Sequence, residues 1–161
     1  MTSEELFLAT VVASWKQIGI RIDGLVTRYT DEQFELQVAP GRNRVRYIVG
    51  HLTAINDRLF PGLGLGERLY PGLDEAYLSN PDLALPDPIS TEELKKAWLE
   101  VNEKLTAALE KLTPAEWLER HTAVSEKDFA KEPLRNRLAM VLSRTNHMSM
   151  HAGQMVLTKA K

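Results

Sequence analysis

Four stretches of the chain space their apolar residues by three and four, the repeat that lines up side chains on one face of an α-helix. The first holds Leu8, Val11, Trp15, Ile18, Ile22, Leu25 and Tyr29. The second, from about Asn43 to Phe60, holds Val45, Ile48, Val49, Leu52, Ile55 and Leu59. The third holds Leu94, Trp98, Val101, Leu105, Ala108 and Leu112, and the fourth, from about Leu134 to Thr158, holds Leu134, Leu138, Val141, Met148, Ala152 and Met155 or Val156. Start and stop signals frame these stripes. Thr2 with Glu5 and Ser90 with Glu93 have the capping-box spacing, and Ile89 can staple onto Leu94. Thr30–Gln33 reads as a second capped turn closed by Pro40-Gly41, and Pro61-Gly62 stops the second stripe. Thr113-Pro114-Ala115-Glu116 starts a fresh turn with proline at its first position. A striped helix must bury its apolar face against another element, so four of them predict an all-α fold, a four-helix bundle.

Between the second and third stripes the pattern changes. Residues 61–88 hold five prolines (Pro61, Pro71, Pro81, Pro86 and Pro88) and four glycines, and read as a long crossover with one short helix near Asp74 to Leu78. Residues 121–132 are polar and irregular, with extended backbone expected around Thr122 to Val124. The chain of 161 residues suits a single domain over 1–161. With 20 basic and 22 acidic side chains the net charge is −2, which gives no general pull toward nucleic acid or anionic lipid. Arg42, Arg44 and Arg46 form a small basic cluster, but it lacks interleaved aromatics, so no nucleic-acid partner is expected. Two acids precede the first apolar run, where a secretory signal would be basic, and no window is long and apolar enough for a bilayer. The expectation is a cytoplasmic protein without a membrane partner.

The chain has no cysteine and four histidines. Thiolate metal sites, disulfides and a cysteine nucleophile are thereby excluded, and any metal site must use imidazole and carboxylate. His147 and His151 stand at i and i+4 on the fourth helix, so both rings can reach one ion. His51 lies on the second helix, which a bundle can set beside the fourth. On the helical wheels all three flank the apolar stripes. Their neighbours are Arg44, Tyr47, Ile55 and Arg58 on the second helix and Met140, Ser143 and Gln154 on the fourth. This describes a site at the edge of the bundle, apolar at its base and cationic at its rim. Asp57 points away from His51, so no general base is assigned.

The segments IVGHLTAINDRLF and NHMSMHAGQM carry a resemblance. They are similar to the second-helix and last-helix motifs of the DinB/YfiT-like superfamily, the latter a His-x-x-x-His followed by a small residue, Gly and Gln. The order of elements along nearly the whole chain is similar too. The resemblance implies a four-helix bundle, commonly a homodimer, with a divalent metal ion held by His51, His147 and His151. It also implies small-molecule chemistry, because the family includes thiol transferases and isomerases. His121 falls outside both motifs and is read as a surface residue.

Three neutral imidazoles and an open position suit Zn²⁺, Ni²⁺ or Fe²⁺ better than Mg²⁺ or Ca²⁺. Such an ion brings a bound water toward a pKa of about 7, which suits a hydrolase. It equally ionises a low-molecular-weight thiol cosubstrate, which suits a thiol S-transferase. Gln154, one turn beyond His151, is a candidate partner for a ligand histidine. Arg44, Arg58 and Tyr47 are candidate substrate contacts. Two other readings stand beside the enzyme: a non-catalytic dimeric bundle stabilised by metal, and a stress-related small-ligand-binding protein that needs no metal.

Overall fold

The computed structural model describes residues 1–158; the expected domain end at residue 161 lies outside the described residues. In chain order the helices are α1 (Ser3–Arg28), α2 (Asp31–Phe34), α3 (Val45–Asp57), α4 (Leu59–Gly62), α5 (Thr91–Leu109), α6 (Pro114–Trp117), α7 (Glu126–Lys131) and α8 (Arg137–Met155). Among the described residues there is no β-sheet, only two isolated bridges, Gln37 with Arg44 and Arg120 with Asn136. The all-α expectation therefore holds, with α1, α3, α5 and α8 as the four long helices.

The starts follow the capping signals. Thr2, Thr30, Ser90 and Thr113 each accept from the backbone N–H three residues on, while the Glu or Gln there returns a bond to the cap. The apolar stripes meet in one core, with Trp15, Ile22, Leu25, Ile48, Leu52, Leu94, Trp98, Leu105, Val141 and Met148 all essentially inaccessible. α1 packs on α5 and α8, and α3 packs on the same two helices. α1 and α3 therefore stand diagonally across the bundle.

Side-chain pairs give the directions. Trp15 Nε1 donates to Thr106 Oγ1 (2.9 Å) while Trp98 Nε1 donates to Asp23 Oδ1 (2.8 Å), so α1 and α5 are antiparallel. Arg46 reaches Thr91, and Asn56 Nδ2 donates to Asn102 Oδ1 (2.8 Å), so α3 and α5 are parallel. A Cβ at Gly62 would lie 3.5 Å from Met140 Sδ, and His51 faces His147 and His151, so α3 and α8 are antiparallel. The run is up, down, down, up.

Several local expectations need correction. Leu134 is 80% exposed and precedes α8, which starts after the Asn136 cap, where Asn136 Oδ1 accepts from Ala139 N (2.9 Å). Leu112 lies beyond the end of α5. No extended strand forms at 122–124; instead Ser125 caps the short helix α7, with Asp128 N donating to Ser125 Oγ (3.1 Å). The crossover does contain short helical turns, a 3₁₀ turn at Pro71–Leu73 and a wider π-type turn at Glu75–Ser79. Asp57 fastens it to α3: this fully buried carboxylate accepts from Leu69 N (2.7 Å), Tyr70 N (3.0 Å) and Arg68 Nε (3.0 Å).

Candidate metal centre

α3 brings His51, and α8 brings His147 and His151, to one point. His147 Nε2 lies 3.2 Å from His51 Nε2 and 3.1 Å from His151 Nε2. One ligand nitrogen from each of the three lies within 4.8 Å of the other two. Helical spacing accounts for the pair on α8, and the antiparallel register of α3 and α8 delivers the third ring from a residue 96 positions away.

The outer nitrogens define the tautomers. His51 Nδ1 donates to the Tyr77 carbonyl (3.0 Å), and His151 Nδ1 donates to Gln154 Oε1 (2.7 Å). Each ring then turns an Nε2 lone pair toward the cluster. His147 Nδ1 is buried without a partner. A proton on His147 Nε2 can satisfy only one of its two neighbours, which leaves a second edge of facing lone pairs. A cation relieves that conflict. Nitrogens about 2.0–2.1 Å from one ion are about 3.0–3.4 Å apart, so the observed edges suit ligands of a single metal. The donor set fits a divalent transition ion.

All three imidazoles are biased toward the neutral form that a ligand needs. Burial pushes the His147 pKa down to about 4, helped by the neighbouring charges of His151, His51 and Arg144. Burial lowers His51 as well, opposed by its bond to the Tyr77 carbonyl and helped by Arg144. His151 is lowered by burial, partly offset by Gln154.

The Tyr77 carbonyl comes from the crossover, and its position depends on Gly50. A Cβ on Gly50 would stand 2.5 Å from the Tyr77 ring, so only glycine admits the ring here. Tyr47, one turn before His51, lies nearly parallel to the His51 ring (centroids 6.3 Å apart, 11° between planes) and donates its hydroxyl to the Asn80 carbonyl (2.7 Å). It braces the ring and the crossover together.

The expected cationic rim is largely neutralised. Arg44 is buried among Asp82 (2.8 Å), Glu35 (2.6 Å) and Asp87 (3.1 Å), and Arg58 pairs with Asp74 (2.6 Å). Their charges are committed to protein carboxylates, so neither stands ready for a substrate anion. The arginine whose charge acts on the cluster is Arg144, which the sequence analysis does not single out. Its position three residues before His147 was the available signal. The Tyr77 carbonyl, a backbone atom on an irregular loop, had none. His121 lies away from the triad on the segment after α6.

Comparison with known proteins agrees with this architecture. No curated protein matches the chain. A solved structure described as the conserved protein of locus from Enterococcus faecalis superposes with a TM-score of 0.63 at 19% identity, covering 98% of this chain and 95% of the other. That likeness is one of fold. The profile of the DinB superfamily matches residues 15–155, a span that takes in all three histidines, the second half of α1 and the whole of α3, α5 and α8, and the chain belongs to that superfamily.

Proposed function

We propose that the chain is a metal-dependent enzyme acting on a small molecule, with His51, His147 and His151 holding one divalent transition metal ion, Zn²⁺, Ni²⁺ or Fe²⁺. The convergence of three Nε2 atoms that hydrogen bonds among themselves cannot all satisfy carries this reading. When bound, the ion supplies Lewis acidity toward water, as in a hydrolase, or toward a low-molecular-weight thiol, as in a thiol S-transferase. The chain's own part is to keep the three rings neutral by burial and to fix two of them through Tyr77 and Gln154. With no cysteine in the protein, any thiol arrives as a cosubstrate. A non-catalytic, metal-stabilised bundle is the second reading; it is favoured by the absence of an identified general base, since Asp57 is spent on the crossover.

Metal analysis of protein purified without a His-tag or nickel resin tests the proposal. About one equivalent after reconstitution is expected, falling sharply in His147→Ala. Less than about a tenth of an equivalent of any transition metal would overturn it. The same reading includes a homodimer. It is supported by an apolar groove of about 430 Å³ lined by Phe7, Leu8, Leu118 and Leu138, in which Phe7 is 72% exposed. Sedimentation of the intact chain should give a dimer, and Phe7→Asp a monomer.

A further inference from the structure

Arg144 stands on α8 three residues before His147 and seven before His151. At about 100° per residue these spacings keep the three side chains within about 60° on the wheel, so all leave the helix from one face. The antiparallel register sets Arg144 at the level of the Ile55–Arg58 turn, one helical turn from the triad. Its charge acts on both His51 and His147.

This guanidinium is half-buried, and no group among the described residues compensates it. Burial pushes its pKa below the ordinary value, and among the described residues no hydrogen bond or opposing charge raises it. It is unlike the other arginines. Among the described residues, every other arginine that is not exposed has a carboxylate partner: Arg44, Arg46, Arg68, Arg120 and Arg137. The arginines without an ion pair besides Arg144, namely Arg21, Arg28 and Arg42, are exposed. A partly desolvated cation beside a cation site opposes occupancy of that site. An anion from outside turns this repulsion into attraction, because it can satisfy both positive centres at once.

We propose that Arg144 binds the anionic group of the substrate, and that the small molecule acted on at the triad carries a carboxylate. The planar fork of arginine matches a carboxylate through two parallel N–H···O bonds. This proposal rests on the metal-dependent reading above and adds the substrate class to it.

The test uses tag-free protein reconstituted with Co²⁺ and malonate as the probe, in the wild type, Arg144→Gln and Arg144→Lys. Co²⁺ stoichiometry and affinity are measured first by visible absorption. Arg144→Gln should bind one equivalent at least as tightly as the wild type, because a repelling charge is gone. Malonate is then titrated by calorimetry and by the cobalt bands. It should bind the wild type, bind Arg144→Gln about tenfold or more weakly, and bind Arg144→Lys with intermediate affinity. The uncharged malonamide should not bind. Equal malonate affinity in wild type and Arg144→Gln, or equal binding of malonamide, would overturn the proposal. If the wild type takes up no Co²⁺, the metal reading fails by itself, and malonate is titrated into the metal-free proteins. Binding lost in Arg144→Gln still supports the anion assignment there, and no binding or equal binding overturns it.

Discussion

Gly50 is where the smallest side chain has the largest reach. Its missing Cβ leaves room for the Tyr77 ring, and the Tyr77 carbonyl holds His51. Gly50→Ala should destabilise the fold by about 1–3 kcal/mol in a urea titration, the usual cost of overpacking a filled core. It should also weaken metal binding, because the displaced ring carries the His51 acceptor with it. Gln154 offers a milder perturbation. Gln154→Ala removes the acceptor of His151 Nδ1 and should lower metal affinity about ten- to a hundredfold in a competition titration with a chelating indicator, leaving the helical circular dichroism unchanged. The meeting of His51, His147 and His151, and the contact of Gln154 with His151, were legible in the sequence because a helix converts spacing into direction. Arg44 and Arg58 were misread as open contacts because their partners, Asp82, Asp87 and Asp74, come from the crossover, where spacing gives no direction.

At the scale of elements, the long helices follow from stripe and cap together, and only their ends differ from expectation. The crossover is a different kind of object. It carries little regular structure and is fastened by polar contacts, with Asp57 clasping its start and Arg44 tying down its later part. Asp57→Ala strips a fully buried acceptor from two backbone amides and leaves Arg68 with Asp74 alone. A loss of about 3 kcal/mol is expected in denaturant unfolding. Exchange of the Leu69 and Tyr70 amides should accelerate more than that of amides in α5. Proline and glycine marked this segment as irregular, but which carboxylate would hold it is a tertiary fact. α7 was missed for a simpler reason: six residues are too few to show a period, and its only signal was Ser125 three positions before Asp128.

For the molecule as a whole, the buried imidazoles tie stability to pH. Their folded-state pKa values lie below the ordinary value of 6.5, His147 at about 4. From about pH 6.5 downward the unfolded chain therefore binds more protons than the folded one. Their contribution to stability is complete above pH 6.5 and lost as pH falls toward 4. The metal-free protein should show a steady drop in melting temperature across that window, and His147→Gln should flatten it. The bundle itself was legible from four stripes, whereas the up, down, down, up order of its helices was not, because a stripe says that a face is buried and not against which neighbour. That order has a consequence in time. α1 lies against α5 and α8 and diagonally from α3, so during synthesis α1 meets neither lateral partner until residue 91 and then residue 137 have followed. His51 must likewise wait for residues 147 and 151. The triad is thus completed only after α8 has emerged, and a nascent chain stalled before α8 would present α1 and α3 with apolar faces still partly uncovered, a form for chaperones rather than for chemistry.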